Sequence, residues 1–319
     1  MRLTVLCTVL IAAVPCAAVA QDAFPARSVR FIVPFPPAGP IDVLARLYAQ
    51  RLSERWKRPV VIENRPGATG SVGTDVVVRS NADGYTLLFT VDLPIVMAPA
   101  LIKTPYDPNR DLVPVAGLAE GMNLLAAHPS SGVSSLAELV AAAKAKPGSL
   151  TYASAGNASP GHICGELLAA ASGTNLTHIP YKGAAPAGTA VLTGEVSMFC
   201  GPIAVVLPHV RTGKLRAIGV TGARAAPVAP EIAPLAAKYP SVVLTNWYAV
   251  FAPPNTQAAV TNFIRAEFQT VFTDPELKSR LTAIGLDARW IDSTELASMV
   301  KSDLAKWTRV VKTANIKSD

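Results

Sequence analysis

The chain has 319 residues, of which 50% are hydrophobic and 16% are charged, and its formal net charge is +7 at pH 7. This composition excludes a disordered chain, because so much apolar surface is enough to build a core. The basic residues are scattered, without a basic run or a basic–aromatic cluster, so the charge does not indicate nucleic-acid binding.

The N-terminus, MRLTVLCTVLIAAVPCAAVAQD, has the layout of a secretory signal peptide. Arg2 supplies the positive charge, an apolar stretch follows it, and Ala18 and Ala20 are the small residues of a cleavage site. We therefore expect residues 1–20 to be a signal peptide and the mature protein to be exported. A membrane anchor would need about 20 apolar residues, and no other segment of the sequence is apolar over such a length.

Strand and helix patterns alternate along the first half of the chain. The predicted strands lie at 29–35, 59–63, 85–91 and 123–129, with a helix at 71–79 and another directly after the first strand. The helix after the first strand carries on one face Ile41, Leu44, Tyr48 and Leu52. Apolar residues at this spacing predict that the face packs on a core.

The same alternation continues through the second half of the chain. The predicted elements are a helix at 134–148, a strand at 150–154, a helix at 160–172, a strand at 177–181, a helix at 185–192 and strands at 196–200 and 214–220. The last elements are helices at 256–272, 275–284 and 293–312. Repeated strand–helix units predict a mostly parallel sheet covered by helices, and their number favours two α/β domains over one open sheet.

Two of these helices begin with a capping-box spacing. Ser135 and Glu138 are three residues apart at one helix start, and Asp292 and Glu295 have the same spacing before the last helix. Such pairs satisfy the free N–H groups of a first helical turn, so we expect both helices to begin at these residues.

Two loops at strand ends are rich in small residues. The segments IVPFPPAGPID and TYASAGNASPGH each end a predicted strand and lead into a helix. Small residues let a backbone approach a ligand closely, and the free N–H groups of a helix N-terminus suit a carboxylate. Neither loop contains Lys or Arg, so Lys182 of the segment YKG is the nearest candidate cation. Each loop taken alone is also compatible with an ordinary strand-to-helix turn.

The sequence lacks the usual patterns of metal and nucleophilic catalysis. No H-E-x-x-H spacing, cysteine–histidine cluster or G-x-S-x-G segment occurs around its histidines, which are His128, His162, His178 and His209. We therefore expect a protein that is not an enzyme and that uses no cofactor or metal. We interpret His162 as a capping or loop-bracing residue, and Trp247 and Tyr248 as core or hinge residues, although an aromatic side chain at a crossover could touch a ligand.

The cysteines leave two alternatives open. Cys7 and Cys16 fall within the signal peptide, so Cys164 and Cys200 remain in the mature chain. In an exported protein these two can form a disulfide. They can also stay buried as inert thiols.

Several collinear motifs together resemble one family. They are RFIVPFPPAGPIDVLAR, VVIENRPGATGSVGTD, DGYTLL, YDPNRDLVPVA, LTYASAGNASPGH, HIPYKG and GKLRAIGVT. The chain is identified by them as a member of the Bug family, the TctC-type extracytoplasmic substrate-binding proteins of tripartite tricarboxylate transporters. The resemblance covers nearly the whole mature chain.

The resemblance implies an α/β chain with the type II periplasmic-binding-protein fold and a ligand cleft between two domains. We expect residues 21–125 and 248–319 to form a discontinuous first domain and residues 126–247 to form the second. The implied function is capture of a small carboxylate in the periplasm by domain closure, by a monomer that delivers it to two integral membrane subunits of a transporter. The alternative is a secreted enzyme or ligand sensor on the same fold that acts on a small carboxylic acid.

The resemblance also assigns ligand-binding residues. The first loop, here called the first lip, contributes Phe35, Pro37, Ala38, Gly39 and Asp42. The second loop, called the second lip, contributes Ser154, Ala155, Gly156, Asn157, Ala158 and His162, and the segment YKG adds Tyr181 and Lys182. Some family members pair an HxCG cysteine with a cysteine at a strand end. The resemblance therefore implies a disulfide between Cys164 and Cys200, and we expect it here.

Three positions depart from the family pattern. Ile41 replaces a frequent threonine, and Gly201 stands where an acidic residue is usual. Asp92 follows the strand LLFTV, where a neutral polar residue is common. If Asp92 lines the cleft, the ligand should carry a donor or a cation beside its carboxylate; the alternative is a helix cap before Pro94.

Overall fold

The structure is a computed structural model that describes residues 24–157 and 159–313. The predicted signal peptide and Ala158 of the second lip lie outside the described residues. Within the described part of the chain, no helix combines the length and apolar character needed to cross a membrane.

Ten strands are present in the described residues. They are β1 (Val29–Val33), β2 (Val60–Asn64), β3 (Thr86–Val91), β4 (Val113–Ala127), β5 (Thr151–Ser154), β6 (Thr177–Pro180), β7 (Met198–Pro202), β8 (Arg216–Val220), β9 (Thr245–Ala252) and β10 (Leu286–Ile291). The hydrogen-bonded order is β2-β1-β3-β9-β4-β7-β5-β6, and β8 and β10 also pair with β4.

The α-helices of the described residues cover both faces of this sheet. They are α1 (Pro40–Trp56), α2 (Ser71–Val78), α3 (Ala98–Leu101), α4 (Pro108–Asp111), α5 (Leu136–Ala145), α6 (Pro160–Ser172), α7 (Ala184–Leu192), α8 (Ile203–Arg211), α9 (Ala258–Phe272), α10 (Pro275–Ala283) and α11 (Ser293–Thr313). A short π-helical turn, Leu93–Met97, precedes α3.

The long strand β4 joins two lobes. Its first part pairs with β9 and β10, while its last part, Asn123–Ala127, pairs with β7 and β8. In the first lobe β1 runs parallel to β2 and β3, and in the second lobe β5 runs parallel to β6 and β7. Because parallel strands end at one edge of a sheet, the loops after β1 and β5 lie at the carboxyl edges of their lobes, where α/β folds bind ligands.

The predicted apolar face of α1 packs into the core of the first lobe. Tyr48 is fully buried and stacks on Phe268 of α9 with ring centroids 5.3 Å apart. Phe268 also stacks on Phe31 of β1, at 5.7 Å. Burying such large aromatic side chains stabilises the fold by several kcal/mol, about 1.5–3 kcal/mol for each, and holds the start of α1 at the end of β1.

Both capping predictions are confirmed. The Ser135 side chain accepts a hydrogen bond from the Glu138 N–H at 3.2 Å. The Asp292 carboxylate accepts bonds from the N–H groups of Thr294 and Glu295, each at 2.8 Å. The helices α5 and α11 therefore begin where their caps predict.

The crossover strands differ most from the sequence prediction. The strand expected at 123–129 begins at Val113, and β9 and β10 were not predicted as strands. These strands pair antiparallel with β4, and β9 is buried along most of its length. A strand buried on both faces shows no two-residue alternation, so its pattern does not separate it from other apolar segments.

Candidate functional site

A cavity of about 130 Å³ lies between the two lobes. From the first lobe Pro40, Val91 and Leu93 line it, and from the second lobe Ala155, Ser159 and Pro160 line it. The loops that follow β1 and β5 therefore meet at one shared hollow. The arrangement brings together two lips that lie in opposite halves of the chain.

Three helix N-termini converge on this cavity. The first residues of α1, α6 and α8, which are Pro40, Pro160 and Ile203, all line it. Free N–H groups and the positive end of the helix dipole attract an anion at such positions. Among the described residues that line the cavity there is no Lys, Arg, His, Asp or Glu. The helix ends therefore supply the attraction for an anion in a surface whose described side chains are uncharged.

The first lip is held in shape by Asp42. The carboxylate of Asp42 is buried and accepts a hydrogen bond from the Ala38 N–H at 3.0 Å. It also accepts two bonds from the Arg46 guanidinium, at 2.8 and 3.1 Å. Asn64 donates to Asp42 Oδ1 at 2.9 Å and to the Phe35 carbonyl oxygen at 3.0 Å. This network keeps Ala38 in a left-handed conformation, with φ 68°.

The same network sets the charge state of Asp42. Burial acts to raise the pKa of the Asp42 carboxyl, but hydrogen bonds from Arg46, Asn64 and the Ala38 N–H outweigh it, so this pKa lies below its ordinary value. Asp42 is thus ionised and braces the loop. It is not among the residues that line the cavity.

The second lip is built on Ser154, which is fully buried. Its hydroxyl donates to the Gly156 carbonyl oxygen at 2.9 Å and accepts from the Gly156 N–H at 3.2 Å. It also lies 2.6 Å from Nε2 of His178 on β6. Gly156 has φ 130°, which side-chain-bearing residues rarely adopt. Ser159 then caps α6, since its side chain accepts from the His162 N–H at 3.4 Å.

Two stacked imidazole rings support the second lip. The rings of His162 and His178 are 3.9 Å apart and nearly parallel, with an angle of 3° between them. Tyr152 stacks on His178 at 5.0 Å. Burial lowers the pKa of His162, and the nearby Glu166 carboxylate opposes this only in part. His162 therefore braces the lip, and it is not among the residues that line the cavity.

Of the remaining predicted residues, the structure brings one to the cavity wall. Ala155 lines it, whereas the following predicted residues are not among those that do: Phe35, Pro37, Ala38, Gly39, Ile41, Ser154, Gly156, Asn157, Tyr181, Lys182 and Gly201. Gly39 and Gly156 each adjoin a lining residue, Pro40 and Ala155. Lys182 is exposed, and the Tyr181 hydroxyl donates to Glu195 at 3.0 Å.

Asp92 does not face the cavity. Its side chain is 1% exposed and accepts from the Asn246 amide at 3.0 and 3.3 Å. Burial raises the pKa of Asp92 to about 7; the Asn246 hydrogen bond lowers it and the nearby Asp303 carboxylate raises it further. Asp92 precedes the turn Leu93–Met97, but its side chain makes no capping bond there. The structure thus corrects both interpretations of Asp92 drawn from the sequence, as a direct ligand contact and as a side-chain cap.

The cysteines correct a second expectation. Cys164 and Cys200 are free thiols in the structure, in place of the disulfide that the resemblance implies. Both are buried, and a side-chain hydrogen bond joins them. Burial raises the pKa of the Cys200 thiol, so it stays protonated and weakly reactive. Cys200 also lines the cavity.

The floor of the cavity comes from residues that sequence reasoning missed. Gly121, Met122 and Asn123 of β4 line it, together with Asn246 and Tyr248 of β9. These residues lie on the crossover strands. The only available signal was the aromatic pair in NWYAVF, of which Tyr248 lines the cavity and Trp247 does not.

A wider depression of about 570 Å³ lies on the surface, around Arg27, Arg30 and Arg79. Each of these arginines already pairs with a carboxylate: Arg27 with Asp83 at 2.9 Å, Arg30 with Glu63 at 3.3 Å and Arg79 with Asp75 at 2.7 Å. Its charges are compensated within the protein, so the cleft between the lobes is the better candidate site.

Two α/β lobes around a cleft lined by helix N-termini define a periplasmic binding protein, and the predicted type II fold is confirmed by the solved structures that share it. The model of the tripartite tricarboxylate transporter family receptor, TctC, matches residues 44–316. The chain belongs to this family.

Individual relatives agree with this assignment over most of the chain. Protein BugT of Bordetella pertussis is 33% identical over 306 residues, which are 94% of this chain and 93% of BugT. The solved structure of R. palustris Rpa4515 with adipate has a TM-score of 0.84 and 30% identity, covering 92% of this chain and 99% of that one. MatC from Rhodopseudomonas palustris with bound malate has a TM-score of 0.79 and 29% identity, covering 90% and 100%.

Proposed function

We propose that the protein captures a small carboxylate between its two lips and delivers it to a membrane transporter. The observation that carries this proposal is the convergence of three helix N-termini, from both lobes, on one cavity whose described lining side chains carry no charge. A carboxylate placed there would accept main-chain hydrogen bonds from both lobes at once. Such a ligand makes more contacts in the closed state than in the open state, and therefore shifts the population toward closure.

The relatives support the chemical class of the ligand. Two similar structures hold adipate and malate, which are both small carboxylates. Family membership supports delivery to two integral membrane subunits, which would dock on the closed form. Export to the periplasm through the N-terminal signal peptide, and action as a monomer, complete the proposal.

Catalysis is the weaker alternative. The Ser154 hydroxyl and His178 form a close serine–histidine pair, but Ser154 is fully buried and its hydroxyl is engaged by Gly156. A nucleophile needs access to its substrate, and the geometry here fits a structural role in the second lip.

The test is calorimetric titration of the protein with a panel of small mono- and dicarboxylates, followed by recovery of the ligand. We expect saturable binding to one site and recovery of the ligand unchanged. Release of a chemically altered product would favour the enzyme alternative. Failure of every carboxylate to bind or to raise the melting temperature would overturn the proposal, because a ligand that binds only the native state must stabilise it.

A further inference from the structure

Two asparagines on neighbouring strands form part of the cavity floor. Asn123 on β4 and Asn246 on β9 both line the cavity. The Asn246 amide nitrogen donates to Asp92, and the Asn123 amide nitrogen donates to Asn246 Oδ1 at 3.4 Å. The three side chains thus form a hydrogen-bonded relay that begins behind the floor at Asp92 and ends at the cavity.

Asp92 sets the direction of this relay. An ionised carboxylate can only accept hydrogen bonds, whereas an amide can turn either its oxygen or its nitrogen toward a partner. Because Asp92 requires a donor, Asn246 turns its nitrogen to Asp92 and its oxygen to Asn123. Asn123 then uses its nitrogen on Asn246, and its oxygen is the group that remains.

The remaining oxygen, Asn123 Oδ1, is not among the described side-chain atoms that are both fully buried and without a partner, so it keeps some accessible surface. Asn123 is 3% exposed, and among the described residues no group donates to its Oδ1. An acceptor on a side chain that is mostly buried gains when a donor reaches it, because little water can satisfy it there. Since Asn123 lines the cavity, a ligand in the cavity can supply that partner.

A second carboxylate lies behind the same floor. Asp303 of α11 accepts from the Trp247 indole nitrogen at 3.0 Å, and its charge acts on Asp92. In the described part of the chain neither Asp92 nor Asp303 forms an ion pair with Lys or Arg. The floor is therefore negative in potential as well as acceptor-rich at its surface, and both features disfavour an anionic group of the ligand there.

We propose that Asp92 is a positioning residue for specificity: through Asn246 and Asn123 it makes the floor accept hydrogen bonds, so that the cleft prefers acids with one carboxylate and one donor group over dicarboxylates. The carboxylate lies at the helix ends, and the donor, such as a hydroxyl, reaches Asn123 Oδ1. The inference rests on the proposed function and narrows its ligand class.

The test uses acids that differ only in their terminal group. Butyrate, 4-hydroxybutyrate and succinate form one series, and hexanoate, 6-hydroxyhexanoate and adipate form a longer one. Their dissociation constants are measured by calorimetry at pH 8.5, above the pKa of Asp92. For the series that fits the cavity, we expect the hydroxy acid to bind at least about tenfold more tightly than the diacid, the size of effect that one buried hydrogen bond gives.

Variants separate positioning from simple structure. Asp92→Asn has the same shape but lets both amides reverse, so the preference for the hydroxy acid should fall by about tenfold. Asn123→Ala should remove the same preference without affecting Asp92. Asp303→Asn leaves the direction of the relay unchanged. It should therefore reduce the preference for the hydroxy acid over the diacid, and leave the preference for the hydroxy acid over the unsubstituted acid as it is. Thermal unfolding of each variant checks that the fold is intact.

Each outcome decides the proposal. Tighter binding of succinate or adipate than of the matched hydroxy acid would overturn it while leaving carboxylate capture in place. An equal preference for the hydroxy acid in wild type and in Asp92→Asn would also overturn this proposal and leave carboxylate capture in place. If none of these acids and no other carboxylate binds, both this proposal and the proposed function fail.

Discussion

Gly161, the second residue of α6, lies directly against the backbone carbonyl oxygen of Cys200 in the middle of β7. A Cβ atom at position 161 would overlap this oxygen and would also come within 3.4 Å of Ser154 Cβ. Both Gly161 and Cys200 line the cavity. The start of α6 can therefore reach the cleft only because residue 161 lacks a side chain.

The first prediction concerns this contact. Gly161→Ala should push the start of α6 away from β7, destabilise the protein by about 1–3 kcal/mol and weaken carboxylate binding by at least about tenfold. Urea unfolding and calorimetry measure the two effects. Gly188→Ala is the control, since a Cβ in α7 at that position meets only ordinary contacts at 3.8 Å. Unchanged binding by Gly161→Ala would show that α6 does not hold the ligand.

The second prediction concerns the backbone of the second lip. Gly156 has φ 130°, and a Cβ there would lie 3.4 Å from the Tyr181 carbonyl oxygen. Gly156→Leu should abolish binding, because the side chain strains the turn and obstructs the approach of the ligand to the backbone. The protein should remain folded, with a loss of about 1 kcal/mol or somewhat more.

Gly132→Ala provides the matched control for Gly156. Gly132 also has a positive φ, 73°, but nothing lies within 4 Å of the position that a Cβ atom would occupy there, and it is not among the residues that line the cavity. We expect a small loss of stability and normal binding. Near-normal affinity in Gly156→Leu itself would count against the second lip as a ligand contact.

The third prediction concerns the brace of the first lip. Asp42→Ala removes the acceptor of Ala38, Arg46 and Asn64. We expect a loss of about 1–3 kcal/mol in the free energy of unfolding and about tenfold weaker binding, because Ala38 loses the bond that supports its left-handed backbone.

A second Asp–Arg pair offers the control for Asp42. Asp75 pairs with Arg79 one turn later in the chain, as Asp42 does with Arg46 in α1. Asp75→Ala should leave ligand affinity unchanged, because that pair does not support a lip. Equal effects of the two substitutions on affinity, measured by calorimetry, would argue that Asp42 has no special role at the cleft.

The fourth prediction follows from the buried Asp92. Its pKa is raised from 3.8 to about 7 in the folded protein, mainly by burial. Between these pH values the folded state binds more protons than the unfolded state, so the free energy of unfolding falls as the pH rises toward 7. Asp92→Asn removes this pH-dependent fall in the free energy of unfolding, because an amide does not titrate. The free energy of unfolding of the variant, taken relative to that of wild type, should therefore rise by about 3 kcal/mol from pH 5 to pH 8.5.

Urea unfolding at the two pH values measures this difference. Asp83→Asn serves as the control, because Asp83 lies in an exposed ion pair with Arg27 and its substitution should act similarly at both pH values. A stability difference between Asp92→Asn and wild type that does not change with pH would mean that Asp92 does not titrate between them.

The lips were predictable because their signals are local. A strand followed by small residues and then by an amphipathic helix specifies a loop at a strand end, and caps such as Ser135 mark helix starts within a few residues. The floor was not predictable, since β9 is buried along most of its length and lacks a two-residue alternation, and Asn246 carries no motif. Asp42 and His162 are not among the residues that line the cavity, and their roles as ligand contacts stay predictions, because sequence assigns them to a loop but not to its inner or outer side.

By itself the sequence determined the strand–helix units outside the crossover strands, the two lips and the absence of basic residues from those lips, because each depends on residues that are neighbours in the chain. Only the tertiary structure decided what those lips enclose. Asp92 meets Asn246 across 154 positions, and Asn246 meets Asn123 across 123 positions. Hydrogen bonds between such distant residues depend on strand order and register, which local patterns do not specify.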